Sequence, residues 1–190
     1  MLRPTRSRLA KGAAAGAIAG LAASWAMNQF MGMVARAVAG PKAGNDPQRR
    51  KFAIAEATRE WQEKADPTGQ VSDALAVRLL GRHLDEHERA LAGPVVHYAF
   101  GALAGAGYGA GCEIAPGLNR GFGVPFAWSL WIAGDEIANP LLRLTPPPNR
   151  IPPASHAAQF ASHIVYGVVL EGVRRAIRNP SLAARDGKQG

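Results

Sequence analysis

The sequence of 190 residues has only one cysteine, Cys112, so it cannot form an internal disulfide or a zinc site built from several cysteines. It also lacks a phosphate-binding loop, a dinucleotide-binding glycine fingerprint, a His-Glu-x-x-His motif and a serine nucleophile elbow. Strand-like alternation of apolar and polar residues is scarce. We therefore predict an all-α protein that is not an enzyme and that has no cofactor and no metal site.

Charged residues are almost absent from four windows, at about 12–39, 94–112, 121–142 and 154–173. A helix that crosses a bilayer needs about 20 residues at ~1.5 Å each, which these windows provide. The net charge of +8 would also suit a nucleic-acid binder, but the basic residues sit at the window edges rather than on one folded face. We predict an integral membrane bundle of about four transmembrane helices. Its expected partner is the lipid bilayer, and we expect no binding of nucleic acid.

The first window has two interpretations. The basic stretch "MLRPTRSRLAK" followed by "GAAAGAIAGLAAS" is compatible with a signal peptide. The apolar character, however, continues through Trp25 and Val34 to Ala39, which is longer than the usual apolar region of a signal peptide. We favour a retained first helix.

The segment 41–92 is polar and predicts an extramembrane pair of amphipathic helices. The first starts near Asp46 and ends before "ADPTG", and the second runs from about Ser72 to Leu80. Four polar residues follow: His83, Asp85, His87 and Glu88. They could imitate a metal site, but side chains this close together on a solvated turn are usually only hydrated. Residues 179–190 are predicted to form a flexible tail.

Glycines recur at steps of four residues in the first two windows. The first stripe is Gly12, Gly16 and Gly20, and the second is Gly101, Gly105 and Gly109, with His97 at its head. Small residues at this step let helix backbones approach closely in lipid. The stripes predict helix packing, either within the chain or between copies. In the second case the protein would form a homo-oligomer.

Several polar residues fall in the same half of the membrane if the four windows cross in alternating directions. They are Arg36, His97, Asp135, Glu136, His156 and His163. A carboxylate at depth is costly unless it is paired, and histidine titrates near neutral pH. One hypothesis is a proton-titrating cluster in which Arg36 and the histidines pair with Asp135 and Glu136. The alternative is that these residues only support packing, or that the two carboxylates are hydrated at the interface before Pro140.

Four segments in this order resemble the YagU-like family of uncharacterised bacterial inner-membrane proteins: "SWAMNQF", "GPVVHYAFGALAGAGYG", "GDEIANP" and "SHIVYG" with Glu171. The resemblance covers all four windows. It implies a multi-pass protein of the bacterial inner membrane with unknown molecular activity and an association with acid resistance. It brings no catalytic residues.

Basic residues abut the first and last windows, which favours both tails in the cytoplasm. The function predicted first is therefore a contribution to acid-stress resistance through the His/carboxylate cluster. The alternative function is a structural or assembly protein whose 41–92 segment binds a partner, with the polar residues serving only helix packing.

Overall fold

The computed structural model describes residues 5–43, 46–49, 51–53, 56 and 67–179. Within these ranges the α-helices are α1 (Arg6–Ala43), α2 (Thr68–Leu80), α3 (Glu86–Ile114), α4 (Val124–Trp131), α5 (Asn139–Leu141) and α6 (Pro153–Arg178). A π-helix spans Ile132–Ala138, and 3-10 turns span Pro116–Asn119 and Pro148–Arg150. The described part of the chain contains no strand, which confirms the all-α prediction. Most of the helix expected from Asp46 onward, and the tail after residue 179, lie outside the described residues.

Three predicted windows lie inside α1, α3 and α6. The remaining window, 121–142, begins three residues before α4 and continues through the π-helix and α5 without a break in helical backbone, since Trp131, Ala138 and Asn139 all keep right-handed helical angles. Among the described helices, only α3 is long and apolar enough to be a candidate membrane span. α1 is rich in alanine and glycine and α6 carries several polar residues, which lowers their mean hydropathy. The four-span bundle therefore stays a prediction.

The turn between α2 and α3 has clear local causes. α2 begins at Thr68, four residues earlier than predicted, and ends where Gly81 takes a left-handed φ of 71° and donates its backbone N–H to the carbonyl of Val77. α3 then starts with a reciprocal cap. The amide of Glu88 donates to the carboxylate of Asp85, and the amide of Asp85 donates to the carboxylate of Glu88.

The chain divides into two compact units. Unit 1 contains Met1–Ala26, Tyr98–Ser129 and His163–Gly190. Most of its buried residues are small or polar, as at Ala19, Ser24 and Glu171, with Leu170 as a large apolar exception, whereas many other large apolar side chains are exposed. Ile18 is 56% exposed and Leu103 is 72% exposed. A polar interior with an apolar exterior is the reverse of the pattern expected in water.

Unit 2 contains Met27–His97 and Leu130–Ser162. Gly93 of α3 lies against Thr68 of α2, where an added Cβ would be 3.5 Å from the Thr68 hydroxyl. The rings of Trp131 and Phe160 meet edge to face with centroids 5.3 Å apart, so Trp131 takes part in packing. Large apolar side chains are exposed in this unit as well: Met33, Leu79, Leu91, Val95, Ile137 and Leu141.

Candidate functional site

In unit 1 the two glycine stripes face each other in antiparallel order. Glycines 12, 16 and 20 of α1 lie against glycines 109, 105 and 101 of α3, respectively. A Cβ added at Gly16 would overlap the carbonyl oxygen of Gly105, and one added at Gly105 would overlap that of Gly16. The two backbones therefore touch directly, which only residues without a side chain allow. Because these contacts form within one chain, a homo-oligomer built on the same stripes would require helix exchange, and the oligomer itself stays a prediction.

The polar contacts of unit 1 continue from this helix pair to α6. The hydroxyl of Tyr166 donates a 2.7 Å hydrogen bond to the carbonyl of Gly101, and both groups are buried. Gly123, with a left-handed φ of 79°, lies against Gly167, and an added Cβ would overlap the Gly167 carbonyl oxygen. The close contacts of unit 1 thus also tie α6 to α3 and to the start of α4.

Glu171 on α6 is completely buried and is the centre of an arginine cluster. Arg174 binds it through two nitrogens, with Nε 2.7 Å from one carboxylate oxygen and Nη2 2.9 Å from the other. Arg175 adds a third contact of 2.5 Å through its Nε. Spacings of three and four residues place these side chains on one helix face. A buried carboxylate with this many donors is held in its charged form by its partners.

A second buried carboxylate, Glu113, lies at the end of α3. Its side chain is 7% exposed and binds Arg178 of α6 at 2.7 Å and Arg8 of α1 at 3.4 Å. One acidic group therefore connects the start of the first helix, the end of α3 and the end of α6. No local spacing in the sequence indicates that Glu113 pairs with Arg8 and Arg178.

In unit 2 the structure brings together two residues of the predicted titrating cluster, Glu136 and His156. The Nδ1 of His156 is 2.8 Å from a carboxylate oxygen of Glu136, and its Nε2 is 3.0 Å from the carbonyl oxygen of Pro148. Both partners are acceptors, so the arrangement is satisfied fully only when both ring nitrogens carry a proton. The pair therefore has the geometry expected for an imidazolium that is bound to a carboxylate. Both side chains are about one-fifth exposed.

Glu136 and Asp135 lie on the π-helix Ile132–Ala138. The side-chain Nδ2 of Asn139 donates a 3.0 Å hydrogen bond to the carboxylate of Asp135. A π-helix rotates the residues that follow it relative to an α-helix, and such segments are frequent at functional sites. The sequence "GDEIANP" carries no signal that distinguishes this winding from an ordinary helix.

Apart from Asp135, the other members of the predicted cluster lie on α1, α3 and α6. His97 is half-buried on α3 in unit 2, and His163 is buried on α6 in unit 1. Arg36 is exposed on α1, with its guanidinium folded over Gly32 of the same helix. Within the described residues Arg36 forms no ion pair with Asp135 or Glu136. The full titrating cluster stays a prediction.

The described part of the 41–92 segment has its own polar centre at Asp73 on α2. This carboxylate accepts hydrogen bonds from the His83 ring at 2.7 Å, from the Leu84 amide at 2.8 Å and from Arg89 at 3.1 Å. The hydrogen bond from His83, followed by that from the Leu84 amide, lowers the pKa of Asp73 to about 2. Asp73 therefore fixes the turn between α2 and α3.

Three of the four clustered polar residues, His83, Asp85 and Glu88, form hydrogen bonds around this turn. His83 binds Asp73, and Glu88 binds Arg82 through two nitrogens at 2.6 and 2.7 Å. Over the described ranges, no group of three or more metal-ligating side chains comes together. An open groove of about 580 Å³ lies beside Asp73, lined also by Gln70, Val77, Arg89 and Leu144.

Acidification should loosen this turn. The folded pKa of Asp73, about 2, lies below its ordinary value of 3.8, so its contribution is complete above about pH 4 and is lost as the pH falls through about 2. We expect hydrogen exchange of the Leu84 amide to show less protection in an Asp73→Ala variant at pH 6, with the difference from the unchanged protein closing near pH 2. Glu86→Gln, on the exposed first turn of α3, is the matched control. Equal protection of Leu84 in both proteins at pH 6 would contradict the assignment.

Similarity searches place the chain in a family without assigning an activity. No curated protein and no solved structure matched the chain. The family model described as a protein of unknown function (DUF1440) matches residues 53–172, which contain α2 to α5 and most of α6. This match covers more than half of the sequence. The chain therefore belongs to the DUF1440 family of proteins of unknown function.

Proposed function

We propose that this protein is a multi-pass protein of the bacterial inner membrane, as its YagU-like resemblance implies, and that it contributes to acid-stress resistance through the Glu136–His156 pair. The surface of the helices supports the membrane location. α3 is a candidate span, and only 17% of its most apolar window is buried. In both units large apolar side chains face outward, and in unit 1 the charged side chains of Glu171 and Arg174 are enclosed, a distribution that suits lipid contact.

The geometry of the Glu136–His156 pair is the observation that carries the acid response. At neutral pH a carboxylate and an imidazolium stabilise each other, and the Pro148 carbonyl accepts the second ring proton. Neutralising the carboxylate would leave the imidazolium without its counter-charge. The pair is then weaker, and the π-helix is released from the Pro148–His156 segment. Protonation thereby becomes a change in helix packing.

The proposed topology exposes this pair to external acid. With four spans and both tails in the cytoplasm, the connection between the third and fourth spans faces the periplasm. Pro148 lies in this connection and His156 lies four residues into α6. External protons would reach the pair before they reach the cytoplasm.

The test is acid survival of cells that carry the Glu136→Gln variant in place of the native protein. The amide cannot provide the negative charge, so survival should fall to the level of cells without the protein, while the amount in the membrane is unchanged. Glu86→Gln removes one exposed carboxylate and should leave survival at the native level. Native survival with Glu136→Gln, at normal expression, would rule out the acid-response role.

A structural or assembly function is the second candidate, and exposed leucines on α2 favour it. Leu75, Leu79 and Leu80 are 46%, 77% and 64% exposed. Leu75 also lines an open apolar groove of about 470 Å³ between α2 and the start of α3. If this surface binds a partner, Leu75→Ser with Leu79→Ser should abolish the phenotype in the same survival assay, whereas Glu136→Gln should lower only stability.

A further inference from the structure

Unit 1 concentrates positive charge at one end of its helices. Its described charged residues are Arg6, Arg8 and Lys11 on α1, Glu113 on α3, Arg120 before α4, and Glu171, Arg174, Arg175 and Arg178 on α6. Contacts from Glu113 to Arg8 and Arg178 join the ends of three helices at this point. Between this end and the other limit of unit 1, its helices carry no charged side chain. The described part of unit 1 therefore has seven cationic and two anionic side chains at this end.

Both anions are already occupied. Glu171 is enclosed by Arg174 and Arg175, and Glu113 by Arg8 and Arg178. Each buried carboxylate holds two guanidinium groups, so each pair of arginines retains one uncompensated positive charge. The carboxylates therefore position the arginines rather than neutralise them. Arg8 remains 64% exposed and Arg175 40% exposed, so both can contact a further anion.

Apolar side chains stand directly beside the exposed cations. The Arg175 guanidinium lies 4.7 Å from the centre of the Phe122 ring, and its Nη2 reaches the carbonyl of Asn119. Phe122 is itself 40% exposed and is held at a left-handed φ of 53°, between two glycines that also have positive φ. Arg120 precedes this loop, and exposed Leu118 lies on the 3-10 turn before it. Cations and lipophilic groups are therefore presented together on one edge.

We propose that Arg120, Arg175 and Phe122 form a binding site for the phosphate of an anionic phospholipid at the cytoplasmic face of the membrane. Arginine suits phosphate because its planar guanidinium donates two parallel hydrogen bonds. A free phosphate would use the cations alone, whereas a lipid also uses Phe122 and Leu118 against its acyl chains. Basic residues at helix ends recognise anionic head groups in this way. This inference rests on the membrane location proposed above, but not on the acid response.

The experiment uses the full-length protein purified in a neutral detergent. Short-chain phosphatidylglycerol, short-chain phosphatidylcholine and inorganic phosphate are titrated separately, and the thermal unfolding midpoint and the lipids retained in native mass spectrometry are measured. Phosphatidylglycerol should raise the midpoint and remain bound, and the other two should not. Arg120→Gln with Arg175→Gln should weaken phosphatidylglycerol binding about thirtyfold, from two lost charges. The matched control, Arg36→Gln with Arg150→Gln, removes two exposed cations from unit 2 and should leave binding unchanged.

Three results would overturn the site. Equal binding of phosphatidylcholine would show no head-group preference, and stabilisation by inorganic phosphate equal to that by phosphatidylglycerol would identify a free anion as the ligand. If the control variant Arg36→Gln with Arg150→Gln weakened phosphatidylglycerol binding equally, the effect would depend on net charge and not on this site. The comparison of the three ligands uses the unchanged protein. It therefore still tests the site if the variant with Arg175→Gln fails to fold. Extraction of the protein from membranes by alkaline carbonate would instead refute the proposed membrane location itself.

Discussion

Replacing Glu171 by alanine is expected to lower the free energy of unfolding by about 3–5 kcal/mol, the cost of leaving a buried charge without its partner. The carboxylate is completely buried, and Arg174, whose side chain is 8% exposed, loses both of its contacts to it. Arg175 loses its contact as well. The guanidinium of Arg174 would then lie buried without a carboxylate partner. Chemical unfolding in mixed micelles, followed by circular dichroism, measures the loss.

A double variant separates the lost pair from lost packing volume. Glu171→Leu together with Arg174→Leu removes both charges and restores apolar volume, so it should recover most of the stability that Glu171→Ala loses. Glu86→Ala removes an exposed carboxylate and should change stability by less than about 0.5 kcal/mol. A loss below about 1 kcal/mol for Glu171→Ala would mean that water reaches the Arg174 guanidinium.

Two glycines of α3, only two residues apart, should respond to alanine with opposite signs. A methyl group at Gly105 would overlap the Gly16 carbonyl oxygen and lie 2.9 Å from the Cα of Gly20. Both neighbours are backbone atoms that cannot move aside, so we expect Gly105→Ala to destabilise by at least about 1–3 kcal/mol. At Gly107 an added Cβ has nothing within 4 Å. Gly107→Ala should therefore stabilise by about 0.4–1 kcal/mol, by restricting the unfolded chain.

The same unfolding assay in micelles reports both changes, and each variant is the control for the other. Their helix propensities change identically, so any difference in sign comes from the contact with α1. If both variants were stabilising, the close approach of α1 and α3 would be disproved. A shift of the midpoint with an unchanged denaturant dependence would show that the effect is on stability rather than on compactness.

The all-α class could be predicted from the sequence, and so could the two glycine stripes, because a repeated spacing is a local property. A step of four residues defines a stripe on a helix, and antiparallel neighbours then pair first with last, as Gly12 does with Gly109. The sequence also indicates that Asp135 and Glu136 need cationic partners, because a carboxylate at depth is costly when unpaired. The specific contact between Glu136 and His156 could not be predicted, since the two residues are 20 positions apart and their approach depends on how the chain returns after Pro148.

The arginine clusters of unit 1 show what a single sequence conceals. "EGVRR" contains the spacing of a helical ion pair, which could have suggested Glu171 with Arg174 or Arg175. Burial, however, decides whether such a pair is important, and burial depends on α1, α3 and α4. The contact of Glu113 with Arg178 joins residues 65 positions apart and has no local signal at all. The π-helix also depends on packing rather than on any residue that specifies it.

The arrangement of unit 1 also sets an order of events during biosynthesis. The contact between α1 and α3 is complete once residue 114 has been made, so this hairpin can close early. By contrast, the contacts of Glu113 with Arg178 and of Gly123 with Gly167 form only after the last helix has been made. At roughly 5–20 residues per second, the 65 residues between Glu113 and Arg178 take about 3–13 s to synthesise. During that interval Arg8 is the one partner of Glu113 among the described residues already made, so the nascent chain carries an incompletely paired carboxylate until α6 is in place.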